Sequence, residues 1–250
     1  SHTVRRGETE LNAHFFGQSS FARQAIVDER SLVRLPAETS DDELAVFAPL
    51  GCGLQTGAGA VLNVLRPTPD DVLVVAGAGA VGMAAVMAAE AVSVGTIVVI
   101  DTVASRLDLA VELGAHATIN ASDEDVAARL AALDVTAAID TTGNVGVLET
   151  LIAGLAPHGT CVVIGAPKAG SRASFDVNAL LPGRRIVGVT LGDSEPERFV
   201  PQLISLYRAG RFPIDRLERQ FPFVQIAAAA AAAKSGDVIK PVLTMNGALS

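Results

Sequence analysis

Cysteine is scarce: Cys52 and Cys161 are the only two in 250 residues. Two thiols cannot build a disulfide framework, and the opening residues carry no charged, then apolar, then small-residue leader pattern, so a cytosolic setting is expected. Clustered positive charge is missing as well. Nineteen Lys and Arg face 27 Asp and Glu, for a net charge of −8, with no basic run. That removes the counterion release on which nucleic-acid binding depends. The most membrane-like stretch, Gly82 to Ile100, is interrupted by Glu90, Ser93 and Gly95 and reads as helix, turn and strand, not as a span. His2, His14, His116 and His158 are scattered, with no His-x-x-x-His or Glu-x-x-His pair to set two ligands on one helix face. No Gly-x-Ser-x-Gly elbow occurs, and no Gly-Lys-Ser/Thr follows the glycine loop described below, which argues against acyl transfer and NTP hydrolysis.

Half of the residues are hydrophobic and 18% are charged, enough apolar material for a full core. From Asp71 onward, β-branched runs alternate with alanine-rich amphipathic stretches, the pattern of a parallel sheet with helices on its faces. Strands are expected at Val72–Ala76, Ile97–Asp101, Ala117–Asn120, Thr136–Asp140, Cys161–Gly165 and Ile186–Thr190. Helices are expected at Gly82–Val92, Ser105–Leu113, Asp123–Leu133, Val145–Leu155 and Pro196–Ala209. Near-continuous apolar runs such as Val72-Leu73-Val74-Val75 suit strands covered on both sides. The expected fold is α/β, a doubly wound six-stranded parallel sheet. Outside it, residues 1–13 are polar and expected to be mobile, while His14 to Leu35 alternates weakly, as edge strands do. The Ala227–Ala233 run is expected to be helical because alanine is the best helix former, with a short strand at Lys240 to Met245.

The sharpest chemical signal is Gly77-Ala78-Gly79-Ala80-Val81-Gly82, a GxGxxG string between a strand and a helix. The first glycine permits a tight turn, the second lets backbone approach a pyrophosphate, and the third lets helix and strand pack closely. Asp101 ends the next strand about 20 residues on, where a carboxylate accepts hydrogen bonds from the adenosine ribose hydroxyls and repels a 2′-phosphate. NAD is therefore expected over NADP. Arg106 reads equally as a neighbour of the adenosine or as a solvated helix charge. Cys161 sits in an apolar strand and reads as core. Cys52 lies in the polar, glycine-rich stretch Pro49 to Gly57; spacing leaves it as a small core residue or as one ligand of a metal site needing three or four.

Five strings together resemble the medium-chain, zinc-dependent alcohol dehydrogenases, and within them the bacterial aryl-alcohol (benzyl alcohol) dehydrogenases. They are His14-Phe15-Phe16-Gly17-Gln18-Ser19-Ser20-Phe21-Ala22, Pro49-Leu50-Gly51-Cys52-Gly53-Leu54-Gln55-Thr56-Gly57-Ala58-Gly59-Ala60, the glycine loop, Asp140-Thr141-Thr142-Gly143 and Ile164-Gly165-Ala166-Pro167. The similarity runs from His14 to Met245, and Gly-Cys-Gly with Gln-Thr-Gly-Ala-Gly-Ala is its specific part. It implies that residues 1–55 are the end of a GroES-like, β-rich catalytic domain, 56–192 a Rossmann coenzyme domain, and 193–250 the terminal helices and returning strand of the catalytic domain.

By position, the resemblance implies that Cys52 is the third protein ligand of a catalytic zinc and that Thr56 lies near the nicotinamide. The loop from Gly77 to Gly82 (Gly77, Ala78, Gly79, Ala80, Val81, Gly82), with Asp101, Arg106, Thr141, Thr142 and Gly165, would contact the coenzyme. Ile164, Val189 and Leu191 would hold the nicotinamide ring and its amide, and Lys240 would stand at the pyrophosphate. Phe15, Phe16, Ala166 and Thr190 would line the substrate cleft, where aromatic side chains suit an aromatic or allylic alcohol. The family's first two zinc ligands, a Cys and a His, and its four-cysteine lobe precede the segment that starts this chain. The sequence thus looks like the back two-thirds of such an enzyme, and a catalytic zinc of ordinary affinity is not expected on this chain alone.

In the family the zinc stabilises an alkoxide while hydride passes to NAD. The implied activity of the intact parent is NAD-dependent oxidation of a primary aromatic or allylic alcohol to the aldehyde, this chain chiefly binding NAD(H). The alternatives are a non-catalytic NAD(H)-binding and dimerisation fragment and a zinc-free quinone or enone reductase. The resemblance also implies a homodimer, or a dimer of dimers, joined along the sixth-strand edge from Arg184 to Thr190.

Overall fold

The computed structural model describes residues 3–12, 21 and 24–245. A hairpin, β1 (Thr3–Arg6) and β2 (Thr9–Asn12), opens the chain, followed by α1 (Asp41–Phe47) and α2 (Gly53–Gly59), which continues as a π-turn over Ala60–Leu65. The central unit runs β3 (Val72–Ala76), α3 (Ala80–Ala91), β4 (Thr96–Asp101), α4 (Ala104–Glu112), β5 (Ala117–Asn120), α5 (Val126–Ala131), β6 (Val135–Asp140), α6 (Val145–Gly154), β7 (Leu155–Val163) and β8 (Arg185–Gly188). The chain then adds α7 (Pro196–Arg208), β9 (Glu218–Pro222), α8 (Ile226–Ser235) and β10 (Lys240–Thr244).

All six central strands are parallel, in the order β5-β4-β3-β6-β7-β8. The chain reverses its winding between β3 and β6, and in such sheets the crevice outside the strand ends at that reversal receives ligands. Alternate residues of each strand feed two separate cores. Leu73, Val75, Ile97, Val99 and Ile139 pack with α2, α3, α4 and α7 on one face, while Val74, Ala76, Val98, Ile100 and Cys161 pack with α5 and α6 on the other. Each of these valine, leucine and isoleucine side chains contributes roughly 1.5–3 kcal/mol on burial, so a run like Val72–Ala76 is explained by having no solvent face. No single described helix is long and apolar enough to cross a membrane.

Several expectations need correction. Residues 3–12, expected to be mobile, form the β1–β2 hairpin, with Arg5 paired to Glu10 across it. Residues 24–35 contain no strand, only a short 3-10 turn at Glu29–Ser31; the rest of the expected edge strands, with Phe15 and Phe16, lies outside the described residues. The fifth central strand begins at Leu155 and ends at Val163, because α6 stops at Gly154 and passes directly into it. The sixth ends at Gly188, two residues short of Thr190. The third central helix is shorter than expected: Asp125 caps it, its carboxylate accepting from the Ala128 N–H. The glycine-rich stretch around Cys52, to which the sequence reading assigned no element, is mostly helix.

Beyond the central sheet, β10 pairs in parallel with β9, which the sequence reading did not foresee. Phe221 and Leu243 on one face of this pair pack against Ala229, Ala232 and Val238, so the alanine run is a helix whose buried stripe is made of small residues. Gly236, at φ +87, terminates it.

Candidate functional site

The glycine loop meets its three requirements by geometry. Gly77 takes φ +96, a left-handed conformation, and a Cβ there would strike the Thr141 hydroxyl, which itself donates to the Ala76 carbonyl (2.8 Å). A Cβ on Gly82 would collide with the Gly77 carbonyl oxygen, so the third glycine lets α3 close onto the strand end. Gly79 differs from both: an added Cβ would meet nothing within 4 Å. Neither strain nor packing requires glycine at this position, and the space in front of it is open. Gly79 caps α3 without any side-chain hydrogen bond, leaving first-turn N–H groups of the helix free for an anion.

Asp101 stands beside this loop. Its Oδ2 accepts from the Ala78 N–H (2.6 Å) and its Oδ1 from those of Thr102 (2.8 Å) and Val103 (2.9 Å), which ties the end of β4 to the loop. A carboxylate has about four acceptor positions, so one remains open. Arg106, one turn along α4, has a buried Nε without a hydrogen-bond partner among the described residues. Gly77, Gly79, Ala80, Val81, Asp101, Thr102, Val103, Arg106, Thr141 and Thr142 line one cleft of about 340 Å³. An open cradle, an uncapped helix start, a carboxylate and an orphaned guanidinium donor fit a dinucleotide. A larger groove, about 620 Å³, lies between α5 and α6 and reaches Arg184. It is lined mostly by alanine and glycine, holds none of the expected site residues, and shares no lining residue with the cleft at the glycine loop.

The other expected residues form a second group. A Cβ on Gly57 would run into the Val81 carbonyl, so α2 lies backbone to backbone against the start of α3. Helix α2 thereby carries Cys52 and Thr56 toward the strand ends; Thr56 is buried, and its hydroxyl donates to the Cys52 carbonyl (2.8 Å). Ile164 and Gly165 follow β7, both N–H groups donating to the Asp140 carbonyl (2.9 and 3.0 Å). Val189 follows β8 and donates to the Val163 carbonyl (3.0 Å), so Ile164 and Val189 extend adjacent strand ends. Ala166, Thr190 and Leu191 are exposed just beyond them. Lys240, at the start of β10, does not line the cleft and stands opposite Glu218 in the β9–β10 pair.

Cys52 is free and exposed; Cys161 is free and buried, its thiol pushed up to about 12 by burial and then by the charge of Asp140. Among the described residues no three His, Cys, Asp or Glu side chains cluster to hold a metal ion. Cys52 is the one expected ligand present, and these residues do not by themselves fit a zinc centre.

Sequence reasoning missed three features here. Asp140 is fully buried and accepts from the Thr142 N–H (2.8 Å) and hydroxyl (2.6 Å), shaping the Thr141-Thr142 wall of the cleft. Gln55 is a buried polar side chain on α2. Helix α1 begins with a capping box in which Ser40 and Glu43 bond reciprocally, and Ser-x-x-Glu before an apolar stretch signals such a start.

Residues 80–208, just over half of the chain, match the family model for zinc-binding dehydrogenases. The chain belongs to the zinc-binding dehydrogenase family. It is 40% identical over 239 residues to geraniol dehydrogenase of Castellaniella defragrans, covering 93% of this chain and 63% of that protein. A solved alcohol dehydrogenase zinc-binding domain protein from Burkholderia ambifaria superposes with TM-score 0.87 at 46% identity, covering 92% of this chain and 62% of the other. Benzyl alcohol dehydrogenase from Acinetobacter calcoaceticus does so with TM-score 0.87 at 39% identity, covering 92% and 64%. The chain thus spans less than two thirds of the length of these relatives. Its six-stranded Rossmann-like sheet is that of alcohol dehydrogenase structures in the family.

Proposed function

We propose that this chain is the coenzyme-binding portion of an NAD-dependent dehydrogenase that oxidises a primary allylic or aromatic alcohol to the aldehyde. The observation that carries the NAD part is Gly79, a glycine that neither backbone strain nor packing requires and that faces open space at an uncapped helix start. The names of two relatives support the substrate class, since geraniol is an allylic primary alcohol and benzyl alcohol an aromatic one.

NAD, when bound, supplies the hydride acceptor. The first-turn N–H groups of α3 hold its diphosphate, Asp101 takes a ribose hydroxyl and disfavours a 2′-phosphate, and Arg106 lies against the adenosine. Thr56, Ile164, Gly165, Val189 and Leu191 orient the nicotinamide, Lys240 adds positive charge at the diphosphate, and Ala166 and Thr190 line the approach of the alcohol. Residues 1–55 and 193–250 belong to a GroES-like catalytic domain and 56–192 to the coenzyme domain. The two free thiols suit a reducing cytoplasm. The chain pairs with a second copy along the exposed strand β8, beside which Phe175, Val177, Leu181 and Ile186 present apolar side chains to solvent.

A second reading, an NAD(H)-binding and dimerising portion without turnover of its own, is favoured by the lack of a three-ligand metal cluster among the described residues. Assay of NADH formation with geraniol and with benzyl alcohol separates the two. Turnover with NAD, by this chain or by a longer polypeptide that contains it, supports the first; binding of NAD without turnover by either supports the second. Turnover with NADPH and a quinone or enone contradicts both.

A further inference from the structure

The three residues Leu191, Gly192 and Asp193 are all left-handed, at φ +52, +69 and +47. A non-glycine residue in that region persists only where its surroundings hold it, and here two of three consecutive residues are of that kind. What holds them is α2 and its π-turn. Gly59 and Gly192 touch backbone to backbone, so that a Cβ on Gly59 would overlap the Gly192 carbonyl and one on Gly192 would come 2.5 Å from the Gln55 carbonyl oxygen. Asn63 Nδ2 donates to the Gly192 carbonyl (2.9 Å) across 129 residues of sequence. Ser194 Oγ lies 2.7 Å from the Leu191 carbonyl and 3.0 Å from the amide end of buried Gln55. One hydroxyl carries one proton, so both contacts are met together when Ser194 donates to Leu191 and the Gln55 amide turns its NH₂ to Ser194.

We infer that Asn63, Ser194 and Gln55 are positioning residues, a latch that fixes the Leu191–Asp193 turn against α2 and thereby sets how the β8 end meets the nicotinamide. The inference rests on the nicotinamide roles proposed above for Val189 and Leu191. The latch joins the element carrying Thr56 to the segment carrying Val189 and Leu191, while the glycine loop, Asp101 and Arg106 stand outside it. Loosening the latch therefore weakens the hold on the nicotinamide half of the coenzyme and leaves the adenosine half alone.

The test compares NADH with ADP-ribose, which lacks the nicotinamide, by calorimetric titration of the full chain and of Asn63→Ala and Ser194→Ala, both at positions that are not fully buried. Thermal unfolding reports whether each variant is folded. The expected result is an unchanged ADP-ribose affinity and an NADH affinity lower by about tenfold per lost hydrogen bond. Folded variants that keep the full surplus of NADH over ADP-ribose affinity overturn the latch. A parent chain that binds the two equally overturns the nicotinamide reading itself, a distinct failure visible before any variant is made.

Discussion

At the scale of single residues, the two carboxylates Asp101 and Glu218 carry opposite expectations. Asp101 accepts three backbone N–H groups and retains one acceptor position toward the cleft. Asp101→Asn keeps an acceptor for the loop but removes the charge. NAD affinity should fall by about 10- to 100-fold, the equivalent of one charge-assisted hydrogen bond, while the gap between NAD and NADP narrows. Fluorescence titration with NADH and NADPH measures both; an unchanged ratio would place the ribose elsewhere. Glu218 sits opposite Lys240 in the β9–β10 pair, with a buried Oε1 that has no hydrogen-bond partner among the described residues. Burial, and then the charge of Asp215, raise its carboxyl to about 8 against the opposing pull of Lys240. A carboxyl raised on folding stabilises fully below its unfolded value, so this contribution is lost as pH climbs from the ordinary Glu range through 8. After allowance for solvent screening the loss is on the order of 1 kcal/mol. Glu218→Gln should flatten the decline in melting temperature between acidic and mildly alkaline buffer; an identical slope would contradict the assignment.

Among the elements, α2 is where sequence and structure part most. Four glycines between Gly51 and Gly59 argue against a helix on propensity, since each costs roughly 1 kcal/mol relative to alanine. Tertiary contact overrides this: Gly57 and Gly59 are the points where α2 touches α3 and the Leu191–Asp193 turn. Glycine in this helix is thus read from close approach, which no single-sequence pattern displays. The glycine loop was legible because strand, turn and helix are contiguous, and its internal division of labour gives a paired prediction. Gly57→Ala drives α2 off α3 and should destabilise the chain by about 1–3 kcal/mol, measured by urea unfolding. Gly79→Ala adds a methyl in open space at φ −84, so its unfolding curve should match the parent while NAD affinity drops. A Gly79→Ala chain that binds NAD normally would remove the main support for the site.

For the molecule as a whole, the presence and sequence order of the six central strands were legible because apolar runs such as Val72–Ala76 alternate with helices, while the bounds of β7 and β8 were not. The gathering of α2, β7 and β8 at one end of the sheet depends on contacts far apart in sequence and was legible only through family resemblance, and the pairing of β10 with β9 was not legible at all. The same distance effect hides the tie between α1 and α7, where Arg208 bonds Glu43 through Nε (2.8 Å) and Nη2 (3.0 Å) and bridges to Glu38 at 2.6 Å. Pairing through β8 predicts that Val177→Lys, which puts a charge at one of the exposed apolar positions leading into β8, shifts the sedimenting species from dimer to monomer. Sedimentation of a monomeric parent chain would contradict it. The central claim, that the Gly77–Gly82 loop and Asp101 form an NAD site, is tested most directly by calorimetric titration of the chain with NAD and, separately, NADP. The account predicts one NAD site per chain and markedly weaker NADP binding; absence of NAD binding, or tighter binding of NADP, would contradict it.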